Sequence, residues 1–220
     1  MGLAIEKRNR MAKRAAAEIK SGMVVNLGIG IPSLVPNHLP RDFAVMFHAE
    51  NGIIGMGPSP IHGEEDENLC NAGGFPVSLV TGGSYFDSAL AFGMIRRGKV
   101  DLTILGSLQV SETGDLANWI VPGKKVPGMG GAMELAQKAK KVIVVMNQTD
   151  KHGQSKIVQK CSLPLTSTAC VNMVITDMAV FSVEKNRGLV LHEVFKPHTI
   201  DEVLQLTDAT VSLHDKIIFS

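Results

Sequence analysis

Short apolar runs alternate with helix-forming segments along most of the chain, and this alternation limits the fold more than any other feature. The apolar runs occupy 23–27, 44–47, 77–80, 100–105 and 142–146. Runs of this length bounded by glycine or proline are typical of strands buried on both faces of a sheet. Helical periodicity marks 4–20, 85–97, 132–140 and 199–207. The pattern predicts an α/β fold with a largely parallel, twisted sheet flanked by helices.

The last third of the chain departs from strict alternation. Apolar runs at 171–176, 180–183 and 189–194 follow one another, and the last two are separated by a turn at 185–188. Consecutive strands joined by a short turn predict an antiparallel C-terminal hairpin. No repeat or linker divides the 220 residues, so we expect one domain over residues 1–220.

The overall charge excludes several classes of partner. Lys and Arg total 22 and Asp and Glu total 21, a net charge of +1, so we expect neither nucleic acid nor a membrane surface as a partner. Five basic residues at 7–14 follow helical spacing, which predicts a solvated helix face or, as the alternative, a phosphate-binding face. The three cysteines have no CxxC spacing, which predicts no disulfide framework and no metal site. Together these features predict a soluble cytoplasmic protein.

A glycine loop follows the first predicted strand. Gly28 and Gly30 open it as in a dinucleotide-binding fingerprint, and Glu50 follows about twenty residues later. However, Ser33 replaces the third glycine and Pro36 interrupts the helix that should hold a pyrophosphate. Nicotinamide or flavin binding is therefore disfavoured, and the chain contains no GxSxG, HExxH or GxxxxGK[ST] motif.

Glu50 stands where a strand meets a turn. The Asn51-Gly52 pair that follows is a strong turn signal, so the carboxylate is predicted at the rim of the sheet, where open α/β folds place their sites. His48 could assist catalysis or be a buried hydrogen-bonding residue. Cys70 could be a nucleophile or an inert thiol. Spacing alone leaves these alternatives open.

The segment Phe47-His48-Ala49-Glu50-Asn51-Gly52-Ile53-Ile54-Gly55 resembles the active-site signature of family I coenzyme A transferase β subunits, of the acetate, butyrate and 3-oxoacid type. Further segments match in the same order: Asn26-Leu27-Gly28-Ile29-Gly30, Asn71-Ala72-Gly73, Ser84-Tyr85-Phe86-Asp87-Ser88, Gly114-Asp115-Leu116-Ala117-Asn118-Trp119, Pro122-Gly123-Lys124 and Gly128-Met129-Gly130-Gly131-Ala132-Met133. The similarity covers about residues 5 to 195.

This resemblance implies a role for each matching residue. Glu50 is the expected nucleophile, which carries coenzyme A (CoA) as a glutamyl thioester, and the amides of Gly131 and Ala132 form the expected oxyanion hole. The expected contacts to CoA or substrate are Asn26, Gly28, Gly30, Asn51, Gly73 and Gly74. CoA is expected as a co-substrate, with no permanently bound cofactor.

The resemblance also implies partners and leaves alternatives. Only the glutamate-bearing half of such enzymes is matched, so an α subunit is expected, in an α2β2 assembly, with acyl-CoA and carboxylic acids as substrates. Ala49 stands where many relatives have serine, and Gly74 where some have lysine, so substrate choice is the property most exposed to these differences. The alternatives are an acyl-CoA hydrolase on the same scaffold and a non-catalytic ligand-binding protein.

Overall fold

The structure is a computed structural model that describes residues 2–40, 42–123 and 128–220. Its helices are α1 (Gly2–Ala16), α2 (Ser88–Arg96), α3 (Ala132–Lys138) and α4 (Ile200–Gln205), with a 3₁₀ helix at Pro32–His38. Its strands are β1 (Val24–Leu27), β2 (Met46–Ala49), β3 (Ile53–Met56), β4 (Leu79–Tyr85), β5 (Leu102–Gly106), β6 (Gln109–Ser111), β7 (Leu116–Ala117), β8 (Lys141–Val145), β9 (Ile157–Val158), β10 (Met173–Ile175), β11 (Ala179–Glu184), β12 (Gly188–Val194) and β13 (Val211–Phe219).

One large sheet organises the molecule. Its strand order is β13-β12-β11-β10-β8-β5-β1-β2-β3-β4, and strands β10, β8, β5, β1 and β2 run parallel at its centre. Antiparallel pairs flank this centre at β2-β3-β4 on one side and β10-β11-β12 on the other. The predicted α/β class, with its parallel centre and antiparallel C-terminal hairpin, is confirmed.

The central strands are buried on both faces. In β8, Ile143 and Val145 pack with residues of α1, whereas Val142 and Val144 pack in a second cluster with Ala136 of α3. This alternation is what a continuous apolar run produces when both faces of a sheet are covered. A small sheet, in the order β7-β6-β9, contributes apolar side chains to the second cluster.

The sequence misplaced one helix start. A helix was expected over 85–97 with Ser84 as its N-cap, but Tyr85 pairs with Ile53 as the last residue of β4. The N-cap is Asp87, whose side chain accepts a hydrogen bond from the Leu90 amide at 2.8 Å. Both Ser and Asp are good caps, so strand pairing decided between them.

Other elements were not expected. The predicted loop up to residue 74 contains β3, the excursion at 106–131 contains β6 and β7, and β13 continues the sheet beyond the last predicted helix. Helix α1 ends at Ala16 rather than at residue 20. Lys124, part of one matching segment, lies outside the described residues.

Candidate active site

Three adjacent parallel strands bring three polar residues side by side. Asn26 of β1 is in register with His48 of β2 and with Thr103 of β5. Their exposed fractions are 1%, 0% and 0%. Buried polar side chains need hydrogen-bond partners, and here they supply them to one another. The Thr103 hydroxyl donates to Asn26 Oδ1 at 3.4 Å, so the Asn26 carboxamide has a defined orientation.

Glu50 begins the turn that joins β2 to β3. The Gly52 amide donates to the Ala49 carbonyl at 3.0 Å and closes this turn. Gly52 has φ +114°, and a Cβ there would overlap the Phe86 carbonyl oxygen, so only glycine fits. The Phe86 amide in turn donates to the Gly52 carbonyl at 3.0 Å. The turn predicted from Asn51-Gly52 is confirmed, and it fixes the backbone of a half-buried Glu50.

The Asn26 carboxamide reaches the Glu50 side chain directly. Its Nδ2 donates to Glu50 Oε2 at 3.1 Å and to the His48 carbonyl at 3.1 Å. The predicted role of Asn26 was a contact to CoA, but its 1% exposure places it behind the carboxylate instead. In this geometry Asn26 orients Glu50.

The glycine segment before α3 closes over the same carboxylate. A Cβ added at Gly131 would lie 3.4 Å from Cγ, Cδ and Oε1 of Glu50, so the absence of a side chain leaves room for the carboxylate. Gly131 is the N-cap of α3, and Ala132 is the first residue of that helix. The Ala132 amide makes a long 3.3 Å bond to the Met129 carbonyl. The structure thus brings Gly131 and the start of α3 to Glu50.

His48 is the titratable group closest to this network. Burial lowers the pKa of its imidazole below the ordinary value of 6.5, while the Glu50 charge and the Ala91 backbone act in the opposite direction. The ring stacks on Phe86, with centroids 6.1 Å apart. Its Nε2 is buried and makes no hydrogen bond within the described residues. A neutral imidazole fits these surroundings.

A cleft of about 340 Å³ runs beside the Glu50 turn. Its wall includes Gly28, Gly30 and Gly73, three of the predicted ligand contacts, and Ala49, the residue before Glu50. Gly28 fits tightly, since a Cβ there would lie 3.3 Å from the Ile104 carbonyl oxygen. The 3₁₀ helix that follows this loop is short and contains Pro36, so it offers no long helix for a dinucleotide pyrophosphate.

Two further predicted ligand contacts have structural tasks. The Asn51 Nδ2 donates to the Cys70 carbonyl at 2.8 Å and ties the Glu50 turn to the loop at 70–75. Gly74, at φ +76°, donates its amide to the Asn71 carbonyl at 2.9 Å within that loop. Neither residue lines the cleft. Their assignment as ligand contacts stays a prediction.

The basic residues of α1 do not form one solvated face. Lys7 pairs with Asp177 at 2.9 Å and Arg14 pairs with Glu193 at 2.6 Å, so the first expectation is wrong for these two. Arg8 instead lines the cleft and is the one charged side chain in its wall within the described residues. The phosphate-binding alternative was the signal that pointed to this residue.

The cysteines and the membrane question are settled in fewer words. All three cysteines are free thiols, and burial raises the pKa of both Cys161 and Cys170 to about 11. Such thiols stay protonated at neutral pH and are poor nucleophiles. In residues 2–40, 42–123 and 128–220, none of the helices has the length and apolarity needed to cross a membrane.

Comparison with known proteins identifies the family. The family model for coenzyme A transferase matches residues 8–206. The probable coenzyme A transferase subunit beta of Bacillus subtilis is 61% identical over 213 residues, which is 97% of this chain and 98% of that protein. The chain therefore belongs to the coenzyme A transferase family, as an enzyme subunit of the β type.

Two longer proteins are also similar. Human mitochondrial succinyl-CoA:3-ketoacid coenzyme A transferase 2 is 46% identical over 203 residues, which is 92% of this chain but 39% of that protein. Among solved structures, the Escherichia coli O157:H7 acyl-CoA transferase YdiF superposes with a TM-score of 0.78 at 20% identity, over 97% of this chain and 43% of its own. The chain thus spans less than half of these longer proteins, and the YdiF likeness shows the shared fold.

Proposed function

We propose that this subunit transfers CoA from an acyl-CoA to a carboxylic acid through a covalent glutamyl-CoA thioester on Glu50, in partnership with an α subunit. The observation that carries the proposal is the Glu50 carboxylate itself. It is held by Asn26 at 3.1 Å, packed against Gly131 and placed beside a cleft. A carboxylate fixed by one donor, with its other oxygen open to a reactant, suits nucleophilic catalysis.

The reaction runs in two mirrored halves. A Glu50 oxygen attacks the thioester carbonyl of the donor acyl-CoA, the C–S bond breaks, and CoA thiolate leaves an acyl-glutamyl anhydride. The thiolate then attacks the Glu50 carbonyl, which releases the donor acid and leaves glutamyl-CoA. The acceptor carboxylate attacks this thioester to give a second anhydride, and the thiolate attacks its acyl carbonyl. The products are the new acyl-CoA and free Glu50.

Each attack passes through a tetrahedral oxyanion that needs fixed donors. Gly131 lies against Glu50 at the N-terminus of α3, and the Gly131 and Ala132 amides are the donors that we assign. By precedent one such donor contributes about 3 kcal/mol to lowering the barrier. The weak bond between the Ala132 amide and Met129 would give way to the oxyanion.

The cleft suits the CoA arm. Its wall combines apolar side chains, glycine backbone and the amides of Asn37 and Asn71, which match the neutral, amide-containing pantetheine arm. Arg8 supplies the positive charge for the phosphates beyond that arm, because guanidinium binds phosphate oxygens with paired N–H donors. We therefore add Arg8 to Gly28, Gly30 and Gly73 as a CoA contact.

An α subunit would complete the site. Several large apolar side chains around the Glu50 turn and the cleft are strongly exposed: Ile29 63%, Phe75 58%, Tyr85 62%, Leu90 55% and Met133 40%. An exposed apolar rim around a reactive centre is typical of an interface, and covering it would keep water from the anhydride and the thioester. The B-type names of the equal-length relatives support the same partner. We extend this to an α2β2 assembly in the cytoplasm.

The partner surface can be tested with paired charge substitutions. We expect Tyr85→Asp and Met133→Asp to weaken co-purification with the α subunit, because each buries a charge in the interface. Leu213→Asp is the matched control, since Leu213 is 46% exposed on β13 at the opposite edge of the sheet. Equal loss of binding in all three variants would argue against this surface.

Substrate class follows by analogy and needs a direct assay. The names of several relatives specify succinyl-CoA and 3-ketoacids, and we propose short-chain or 3-oxo acids as acceptors here. Incubation of the reconstituted pair with acyl-CoA and a panel of acids should yield new acyl-CoA. Free CoA that accumulates without new acyl-CoA would indicate the hydrolase alternative, and no turnover would favour a ligand-binding protein.

A further inference from the structure

The His48 ring faces the amide group that holds the nucleophile. Its Nδ1 lies 3.5 Å from Asn26 Nδ2, the same nitrogen that donates to Glu50 Oε2 and to the His48 carbonyl. The ring is fully buried and stacks on Phe86. His48 thus contacts Asn26 through both its backbone and its side chain, two residues before Glu50.

The neighbours of the ring select one protonation state. Asn26 Nδ2 is oriented as a donor by two acceptors, and Asn26 Oδ1 accepts from Thr103 at 3.4 Å. A proton on His48 Nδ1 would face this donor, so Nδ1 must be the unprotonated acceptor and the proton belongs on Nε2. The buried Nε2, with no hydrogen bond in the described part of the chain, is consistent with a neutral ring.

We propose that His48 is a positioning residue whose neutral form keeps the Asn26 amide turned toward Glu50. Protonation would place N–H groups of His48 and Asn26 against each other. The Asn26 carboxamide would relieve this by rotating through half a turn, which directs Oδ1 at the Glu50 carboxylate instead of a donor. The nucleophile would then lose its hydrogen bond and its fixed direction.

This inference rests on the proposed function of Glu50 and gives the site a pH limit. The charged group that faces His48 is Glu50, while Asn26, Phe86 and Ala91 present neutral groups. Because burial lowers the pKa of His48 below 6.5, the competent neutral form is complete above that pH and is lost as the pH falls through the lowered value. The stability contribution of His48 has the same sign and is lost over the same interval.

The test measures the Glu50 adduct and steady-state kinetics of the reconstituted α and β pair between about pH 5 and pH 8. His48→Gln keeps an acceptor near Asn26 but cannot titrate. His48→Leu removes the acceptor. His62→Gln, at an exposed loop position, is the matched control. Thermal unfolding of each variant shows whether the fold is intact.

We expect the wild-type kcat to fall at acidic pH with little change in KM. His48→Gln should recover much of the rate and lose this acid limb, whereas His48→Leu should lower kcat about tenfold at neutral pH. His62→Gln should keep the wild-type profile. An unchanged acid limb in His48→Gln would overturn the inference even if His48→Leu fails to fold. Absence of any Glu50 adduct in the wild type would instead refute the proposed function.

Discussion

Replacing Asn26 by alanine separates two roles that this residue can have. If Asn26 orients the nucleophile, its loss should lower kcat and leave KM for acyl-CoA nearly unchanged. If it contacts CoA directly, KM should rise instead. The 3.1 Å bond to Glu50 Oε2 and the 1% exposure of Asn26 favour the first outcome.

The magnitude follows from the type of bond. A hydrogen bond to a charged acceptor contributes about 1.5–3 kcal/mol, and because Glu50 is only half-buried we expect the lower end, a fall in kcat of roughly tenfold. The Thr103 hydroxyl would also lose its acceptor, at a cost of about 1–3 kcal/mol in unfolding free energy. For a chain of this size that is a drop in melting temperature of a few degrees or more.

The assay is steady-state CoA transfer by the reconstituted pair, together with thermal unfolding of each variant. Asn68→Ala, at an exposed loop position, is the matched control and should behave as wild type. A rise in KM at constant kcat would refute the orienting role. Full activity of Asn26→Ala would show that the bond to Glu50 does not matter for catalysis.

Two further substitutions probe the cleft and the oxyanion site. Arg8→Ala should raise KM for acyl-CoA severalfold but spare acyl-pantetheine, which lacks the distal phosphates, and Lys13→Ala on the same helix should do neither; equal effects on both esters would contradict the Arg8 assignment. Gly131→Ala puts a methyl group 3.4 Å from the Glu50 carboxylate and should lower kcat by about tenfold or more, whereas Gly93→Ala within α2, with no atom within 4 Å of the new Cβ, should retain full transfer activity in the same assay.

The sequence predicted the parts of the fold that local patterns determine. The buried strands β5 and β8 follow from continuous apolar runs, and the Glu50 turn follows from Asn51-Gly52. β13 was missed because its edge position leaves residues such as Leu213 and Ile218 exposed, so no buried pattern marks it. Pairing with β12 defines that strand, and pairing is a long-range property.

The site shows the same division. Glu50 and Gly131 were found by their local motifs, and the structure brings them into contact. The alignment of Asn26, His48 and Thr103 depends on the register of β1, β2 and β5, and nothing local in the sequence sets that register. The orienting role of Asn26 therefore required the three-dimensional arrangement.

The most direct test of the proposed function is mass spectrometry of the Glu50 peptide, after the reconstituted pair is incubated with acyl-CoA and quenched with borohydride. Reduction of a glutamyl thioester converts the side-chain carboxyl into an alcohol, a change of one oxygen for two hydrogens. We predict this change on Glu50 only when acyl-CoA is present, and no labelled peptide in Glu50→Gln. Sustained CoA transfer with an unmodified Glu50 peptide would contradict the account.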